Sequence, residues 1–423
     1  MNAREYLAGL EFHGIKLGLD NITYLLDQAG GPHTAYPTVH VAGTNGKGSV
    51  VAMLDAMLRV AGYRVGRFTS PHLIRLNERF IVDAHPIDDA ELDRQIEFFQ
   101  RVAETMDVPP TYFELCTAVA FRWFQDARVD AAIIEVGMGG RFDSTNVIKP
   151  LASGITNIDL EHMQYLGDTR AKIAFEKAGI IKPGVPVVVS ERDAEPLDVI
   201  LRRAQESNSR SCLLGRDYSY TLSGDAMNLR FSYTSDSLTL EEAPLGLAGR
   251  YQGENAAVAV ALAERVRVQF PNVSPSAIRE GLASAQWPCR LEKVLDAPPV
   301  IVDVAHNPAG MRKLAAELGP CVAVVAISSD KAAAEMLDAL APVVRELILT
   351  QYAGHRGLPV DALCTAAGEG CAYRRVERLE DAIALGISLA SDDCPLVITG
   401  SIFTAGQART ILIDRYGAKP LLF

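Results

Sequence analysis

Residues 39–54 read VHVAGTNGKGSVVAML, a glycine-rich turn bearing Lys47 and Ser49 between an apolar run and a run with helical spacing. Few arrangements accommodate that order. A short buried strand must end at a turn whose N–H groups point outward, and a helix must start there, which is the first half of a parallel βαβ unit. Glycine-flanked N–H groups can wrap phosphate oxygens, and the helix N-terminus adds positive partial charge. Lys47 then reaches terminal phosphates, and Ser49 can hold a metal. The usual phosphate-loop spacing asks for glycine where Val41 stands, and Gly48 is an extra glycine. The competing reading is a turn whose lysine faces water.

The alternation continues along the chain, so the expected class is α/β. A helical lead-in covers 1–35, and helices are expected at 49–62, 88–106 and 113–125. Strands are expected at YRVGRFTS, at 131–137 and at 154–158. From 210 to 242 short alternating runs such as YSYTL and NLRFSY predict a small antiparallel patch, followed by helices over 253–268 and 274–284. After the proline-bearing segment 286–299, the runs PPVIVDVAHNP, CVAVVAISS, RELILTQY and CPLVITGS predict a second, Rossmann-like α/β domain. The expected division is an N-terminal phosphate-loop ATPase-type domain with a parallel sheet at 1–287, a linker at 288–298 and a smaller C-terminal domain at 299–423. With 423 residues, 48% hydrophobic and 22% charged, the chain has material for two cores.

A formal charge of −11 and the lack of a Lys/Arg block argue against nucleic acid as a partner. Seven dispersed cysteines without a C-x-x-C pair argue against a disulfide framework or zinc site. MNAREYLAGLEFHG carries acidic residues and no apolar core of a signal, and no long apolar run follows. These features lead us to expect a cytoplasmic monomer that makes no membrane contact.

Polar groups lie just past several apolar strands, where an open parallel sheet gathers its functional residues. Glu135 lies inside AAIIEVG and asks for a cation, either a metal or a salt-bridge partner. His162 follows the next strand; Mg²⁺ favours oxygen ligands, and Mn²⁺ can replace it. Lys177, near a helix end, reads from spacing alone as a solvated cation. Asp303 can accept from ribose hydroxyls and His306 can meet phosphate or sugar, unless Asn307 and Pro308 simply make a capped turn. Arg290 is either a phosphate clamp carried by a moving domain or a surface arginine.

Together GTNGKGS, TSPHL, EVGMGGRFDSTN, ITNIDLEHMQYLGDT, FEKAGIIK, GRYQGENAAVA, PCRLE, DVAHNPAG and TGS at 399–401 resemble the Mur ligase superfamily, specifically the bacterial folylpolyglutamate synthase and dihydrofolate synthase family. The resemblance implies an ATP-dependent ligase that adds L-glutamate to dihydropteroate or a reduced folate through an acyl phosphate. It assigns Thr44, Asn45, Gly46, Lys47, Gly48 and Ser49 to the phosphate loop. It implies one or two Mg²⁺ ions on Ser70, Glu135 and His162, with a carbamylated Lys177 near the second. ATP contacts correspond to Asn255, Arg290, Asp303 and His306. The pterin side corresponds to Gly14, Ile15 and Lys16, to Thr111, Tyr112, Phe113 and Glu114, and to Phe142, Asp143 and Ser144, with Phe113 stacking the ring and Asp143 bonding its nitrogens. The family commonly has glycine where this chain has Cys289 and Val304, and a bulkier Val304 is expected to shift the loop that carries His306. Two other readings share the ATP parts: a cell-wall Mur ligase, normally with a further N-terminal domain, and a nucleotide-switched regulator without ligase activity.

Overall fold

The computed structural model describes residues 2–10, 16, 18–368 and 372–423. Gly14 and Ile15 lie outside the described residues. The largest sheet has eight strands in the order His85–Pro86, Phe80–Val82, Val65–Phe68, Ala131–Glu135, Thr38–Ala42, Ala152–Ile155, Val187–Val189 and Ser211–Leu213. The first two form an antiparallel edge, and the rest pair in parallel. Thr38–Ala42 is central and buried throughout, as a strand covered on both faces must be. Its register puts Val41 beside both Glu135 and Gly154, so three strand ends meet at the turn that follows Ala42.

Adjacent residues of the strand Ala131–Glu135 feed opposite cores. Ile133 joins the cluster formed with the helices Lys47–Val60 and Gln252–Val266, whereas Ile134 joins the one formed with the helix Tyr112–Asp126. The strands Tyr218–Asp225, Asn228–Ser235 and Thr239–Pro244 make the antiparallel patch, backed by the helix Gln252–Val266. Ser211–Leu213, expected within that patch, instead extends the parallel sheet beside Val187–Val189. Three residues are too few for a periodic signal to distinguish the two.

The C-terminal sheet runs Glu292–Asp296, Pro299–Val302, Leu396–Thr399, Cys321–Val325, Val344–Gln351 and Arg374–Arg378. Its first strand is antiparallel to the second and lies within the expected linker 288–298. A hairpin edge tolerates the prolines at 298 and 299 that made this stretch read as a connection. The last strand, RRVER, is an exposed charged edge and gave no apolar signal. No helix among the described residues is long and apolar enough to cross a membrane.

The domains meet closely. The helix Ile402–Tyr416 of the C-terminal domain sits on the loop after Val65–Phe68, where a Cβ on Gly406 would overlap the Leu73 carbonyl oxygen.

Candidate active site

A cavity of about 670 Å³ lies between the domains. Its floor is the turn 43–49. Gly46 has φ 90°, and the Asn255 amide lies where its side chain would be, so a glycine is required there on both counts. Thr44 Oγ1 accepts from Asp159 N at 3.0 Å, and Asn45 N donates to Asn157 Oδ1 at 3.0 Å, so the strand end ITNIDL orients the turn. Lys47 begins the helix Lys47–Val60, and its Nζ donates to the carbonyls of Gly43 at 3.0 Å and Thr44 at 3.2 Å. The lysine is thereby folded over its own loop. Gly48 has no space for a side chain, since a Cβ would come 2.5 Å from Trp287 Cζ2.

Lys177 corrects the reading from spacing. It is 3% exposed, and its Nζ donates to the same Gly43 carbonyl at 2.7 Å. The helix Arg170–Ala178 turns Ala174, Lys177 and Ala178 inward, so helix phase overrides the tendency of a terminal lysine to reach water. Burial, reinforced by Lys47, lowers its ammonium from 10.5 to about 7.

Glu135 is buried at the end of its strand, where Oε2 accepts from Ser70 N at 2.9 Å. Burial raises its pKa, against the pull of Lys47, the Ser70 N–H and Arg290. Ser49, Ser70 and His162 line the same cavity. That oxygen-rich set suits a hard cation, but among the described residues no three His, Cys, Asp or Glu side chains form a ready-made metal cluster. A Mg²⁺ ion there would complete its shell with phosphate oxygens and water. His162, at φ 50°, places Nε2 3.8 Å from Glu161 Oε1.

The C-terminal domain supplies the roof. Arg290 lines the cavity beside Glu135, Tyr251 and Asp303. Asp303 lines the cavity, and its oxygens accept from Leu291 N at 2.8 Å and Ala305 N at 2.7 Å, which shapes a turn whose strand-end N–H groups need acceptors and leaves each oxygen a further lone pair for the expected ribose contact. Burial raises its pKa, against Arg290. His306 reaches across the domains to within 3.5 Å of Glu161 Oε1. Val304, in the same loop, is 2% exposed and packs in the C-terminal core while also lining the cavity.

Of the described residues expected on the pterin side, Phe113 and Asp143 stand behind the cavity wall Val136–Gly139. Phe113 packs on Gly137, filling the space of its missing side chain. Thr111 and Glu114 form a capping box at the start of Tyr112–Asp126. Asp143 accepts from Met138 N at 2.9 Å, and from Thr145 N and Oγ1. These bonds hold the wall, as a buried carboxylate takes the nearest donors. Ser144 is buried, while Tyr112 is half-buried and Lys16 exposed. Phe142 is exposed, and its ring carries the Arg141 guanidinium at 4.2 Å. None of these side chains lines the central cavity.

Sequence reasoning passed over Glu161, which lies between His162 and His306, and the C-terminal wall of Lys331, Arg356, Ser401 and Phe403. Glu161 was visible as the neighbour of His162. Ser401 was visible in the motif TGS at 399–401, whereas Lys331, Arg356 and Phe403 had no motif to mark them.

Two family models cover the chain: the Mur ligase middle domain matches 41–263, and the Mur ligase, glutamate ligase domain matches 289–402. Folylpolyglutamate synthase of Lacticaseibacillus casei is 36% identical over 406 residues, 93% of this chain and 94% of that protein. The dihydrofolate synthase/folylpolyglutamate synthase of Mycobacterium tuberculosis is 36% identical over 443 residues, 93% of this chain and 89% of that one. Among solved structures, Escherichia coli FolC in complex with DHPP and ADP superposes with a TM-score of 0.89 at 30% identity, covering 98% of this chain and 99% of that one. The loop, the buried carboxylate and the roof thus occur in a chain that belongs to the Mur ligase superfamily and, within it, to the folylpolyglutamate synthase and dihydrofolate synthase family.

Proposed function

We propose that this protein is an ATP-dependent ligase that joins L-glutamate to dihydropteroate and to reduced folates. The observation that carries the reading is one cavity lined by both domains, with a lysine-bearing phosphate loop, a buried carboxylate and Arg290 facing the same space. Full-length similarity to synthases of that name supports it.

A carboxylate does not acylate an amine at neutral pH, because oxide is a poor leaving group. An oxygen of the acceptor carboxylate attacks the γ-phosphorus of ATP, the bond to the bridging oxygen breaks, and ADP leaves. The glutamate amine then attacks the acyl carbon, loses a proton, and phosphate departs. Lys47 exchanges the Gly43 and Thr44 carbonyls for phosphate oxygens and offsets charge that builds in transfer, with Arg290 acting from the roof. Asn255 and the turn Thr44–Ser49 hold the nucleotide, and His306 positions Glu161 across the cleft. Ser49, Ser70, Glu135 and His162 would hold Mg²⁺, which when bound neutralises phosphate charge. Burial lowers the Lys177 ammonium to about 7, which brings the neutral amine that adds carbon dioxide within reach near neutral pH and supports its carbamylation. Lys331, Arg356 and Ser401 suit the carboxylates of glutamate. Lys16, Phe113 and the wall held by Asp143 form the pterin side. Two-domain enclosure shields the acyl phosphate from water.

The test is ADP formation with glutamate and dihydropteroate, each omitted in turn, and with tetrahydrofolate as the alternative acceptor. Turnover that requires both substrates supports the reading. Turnover with neither favours the switch, and a requirement for a UDP-sugar peptide favours cell-wall ligation.

A further inference from the structure

We propose that Glu292 is a positioning residue for Arg290, fixing it as part of the C-terminal domain, and that the pivot between domains is confined to the step from Trp287 to Cys289. This rests on the reading above only in giving Arg290 a role at the phosphates.

Consecutive residues here belong to different bodies. Trp287 packs with the core around the helix Lys47–Val60. Its indole lies against Gly48 of the phosphate loop, with the Arg67 guanidinium 5.3 Å from its centre. Cys289, two positions on, is fully buried in the C-terminal core. Its N–H donates to Glu292 Oε2 at 2.8 Å, and its carbonyl accepts from Val304 N at 3.0 Å. Leu291 is buried in the other C-terminal cluster, with its N–H on Asp303. The residues on both sides of Arg290 are therefore tied to the domain that follows them, and only Pro288 stands between the two anchorages.

The backbone at those ties is strained. Cys289 has φ 57° and Leu291 φ 48°, left-handed values that side-chain-bearing residues adopt only when their surroundings enforce them. Alternating left-handed residues turn the side chain between them away from both neighbours. Cys289 and Leu291 face the core, and Arg290 faces the cavity. Among the described residues, Glu292 is the side chain that holds the first of these turns. Its other oxygen, Oε1, lies 3.3 Å from Nη2 of Arg409, which is 1% exposed and also donates to the Lys419 carbonyl at 2.9 Å. Arg409 Nε and Nη1 have no other partner among the described residues. A buried cation thus fixes Glu292, Glu292 fixes the Cys289 N–H, and that turn aims Arg290. Closure then moves Arg290 together with His306 and Lys331, while Trp287 stays with the phosphate loop.

A double-mutant cycle tests this, read on ATP cleavage so that it reports Arg290 whichever acceptor and amine the enzyme takes. Glu292→Ala is expected to lower kcat about tenfold with KM for ATP little changed, and to have almost no further effect in an Arg290→Ala background. Glu292→Gln, whose amide oxygen still accepts from Cys289 N–H, should recover much of the loss. If Glu292→Ala does not fold, Glu292→Asp, a methylene too short to reach that N–H, carries the same cycle. The same fold-loss in both backgrounds, or no loss in either, overturns the proposal. Absence of folate ligation with the cycle intact would refute the substrate reading alone.

Discussion

Replacing Lys177 by methionine removes an ammonium that burial, with Lys47 adding to it, holds down from 10.5 to about 7. Between those values the unfolded chain binds a proton that the folded chain does not, so stability rises with pH across that window. Below about pH 7 both states carry the proton and the folded state bears the whole burial cost. The gap from 10.5 to about 7, at about 1.36 kcal/mol per pH unit, bounds that cost near 5 kcal/mol. Methionine also forfeits the hydrogen bond to the Gly43 carbonyl, which for a charged donor contributes about 1.5–3 kcal/mol. Lys177→Met should therefore gain about 2–3 kcal/mol at about pH 6. The gain should shrink as pH rises and change sign once the wild-type amine is neutral in both states. Urea unfolding of both proteins at about pH 6 and about pH 10 measures it, alongside ATP turnover, which the variant should lose. Added bicarbonate should narrow the gap if Lys177 takes up carbon dioxide, since methionine cannot. A variant less stable at about pH 6, or a gap indifferent to pH, would refute the reasoning.

Lys47→Ala should abolish ATP cleavage with little change in thermal unfolding, since its half-buried amine bonds to carbonyls of its own turn; substantial product would remove the loop from the mechanism. Gly406→Ala should force the helix Ile402–Tyr416 off the Leu73 carbonyl, raising the ratio of phosphate released to amide formed; an unchanged ratio would show that this contact does not govern enclosure. Asp143→Ala removes the acceptor of Met138 N–H and Thr145, and should cost about 1–3 kcal/mol while raising KM for dihydropteroate more than for ATP. Equal KM values in variant and wild type would detach the pterin side from that wall.

Legibility in the sequence followed the length of the signal. The run 39–54 gave strand, turn and helix in register because each piece is apolar or glycine-rich over several residues. Ser211–Leu213 and Arg374–Arg378 were lost because a three-residue strand has no period and a charged edge has no apolar face. Glu135 could be singled out because a carboxylate inside an apolar run contradicts its surroundings. Lys177 could be singled out only by the family resemblance, since spacing does not fix which side of a short helix meets the phosphate loop. The internal bonds of Asp143 and Asp303 were equally hidden: Asp143 holds Met138 N–H and Asp303 holds Leu291 N–H, donors that a linear pattern does not pair with them.

The missing side chain at position 406 has a consequence for recombining relatives. One helix serves as a packing element of its own domain and as the lid on a loop of the other, at backbone-to-backbone range. Chimaeras that graft this C-terminal half onto a homologous N-terminal half should inherit two sound folds yet assemble askew unless the segment facing position 406 is transplanted with it. Exchangeable units in this protein end at shared surfaces rather than at the connecting peptide.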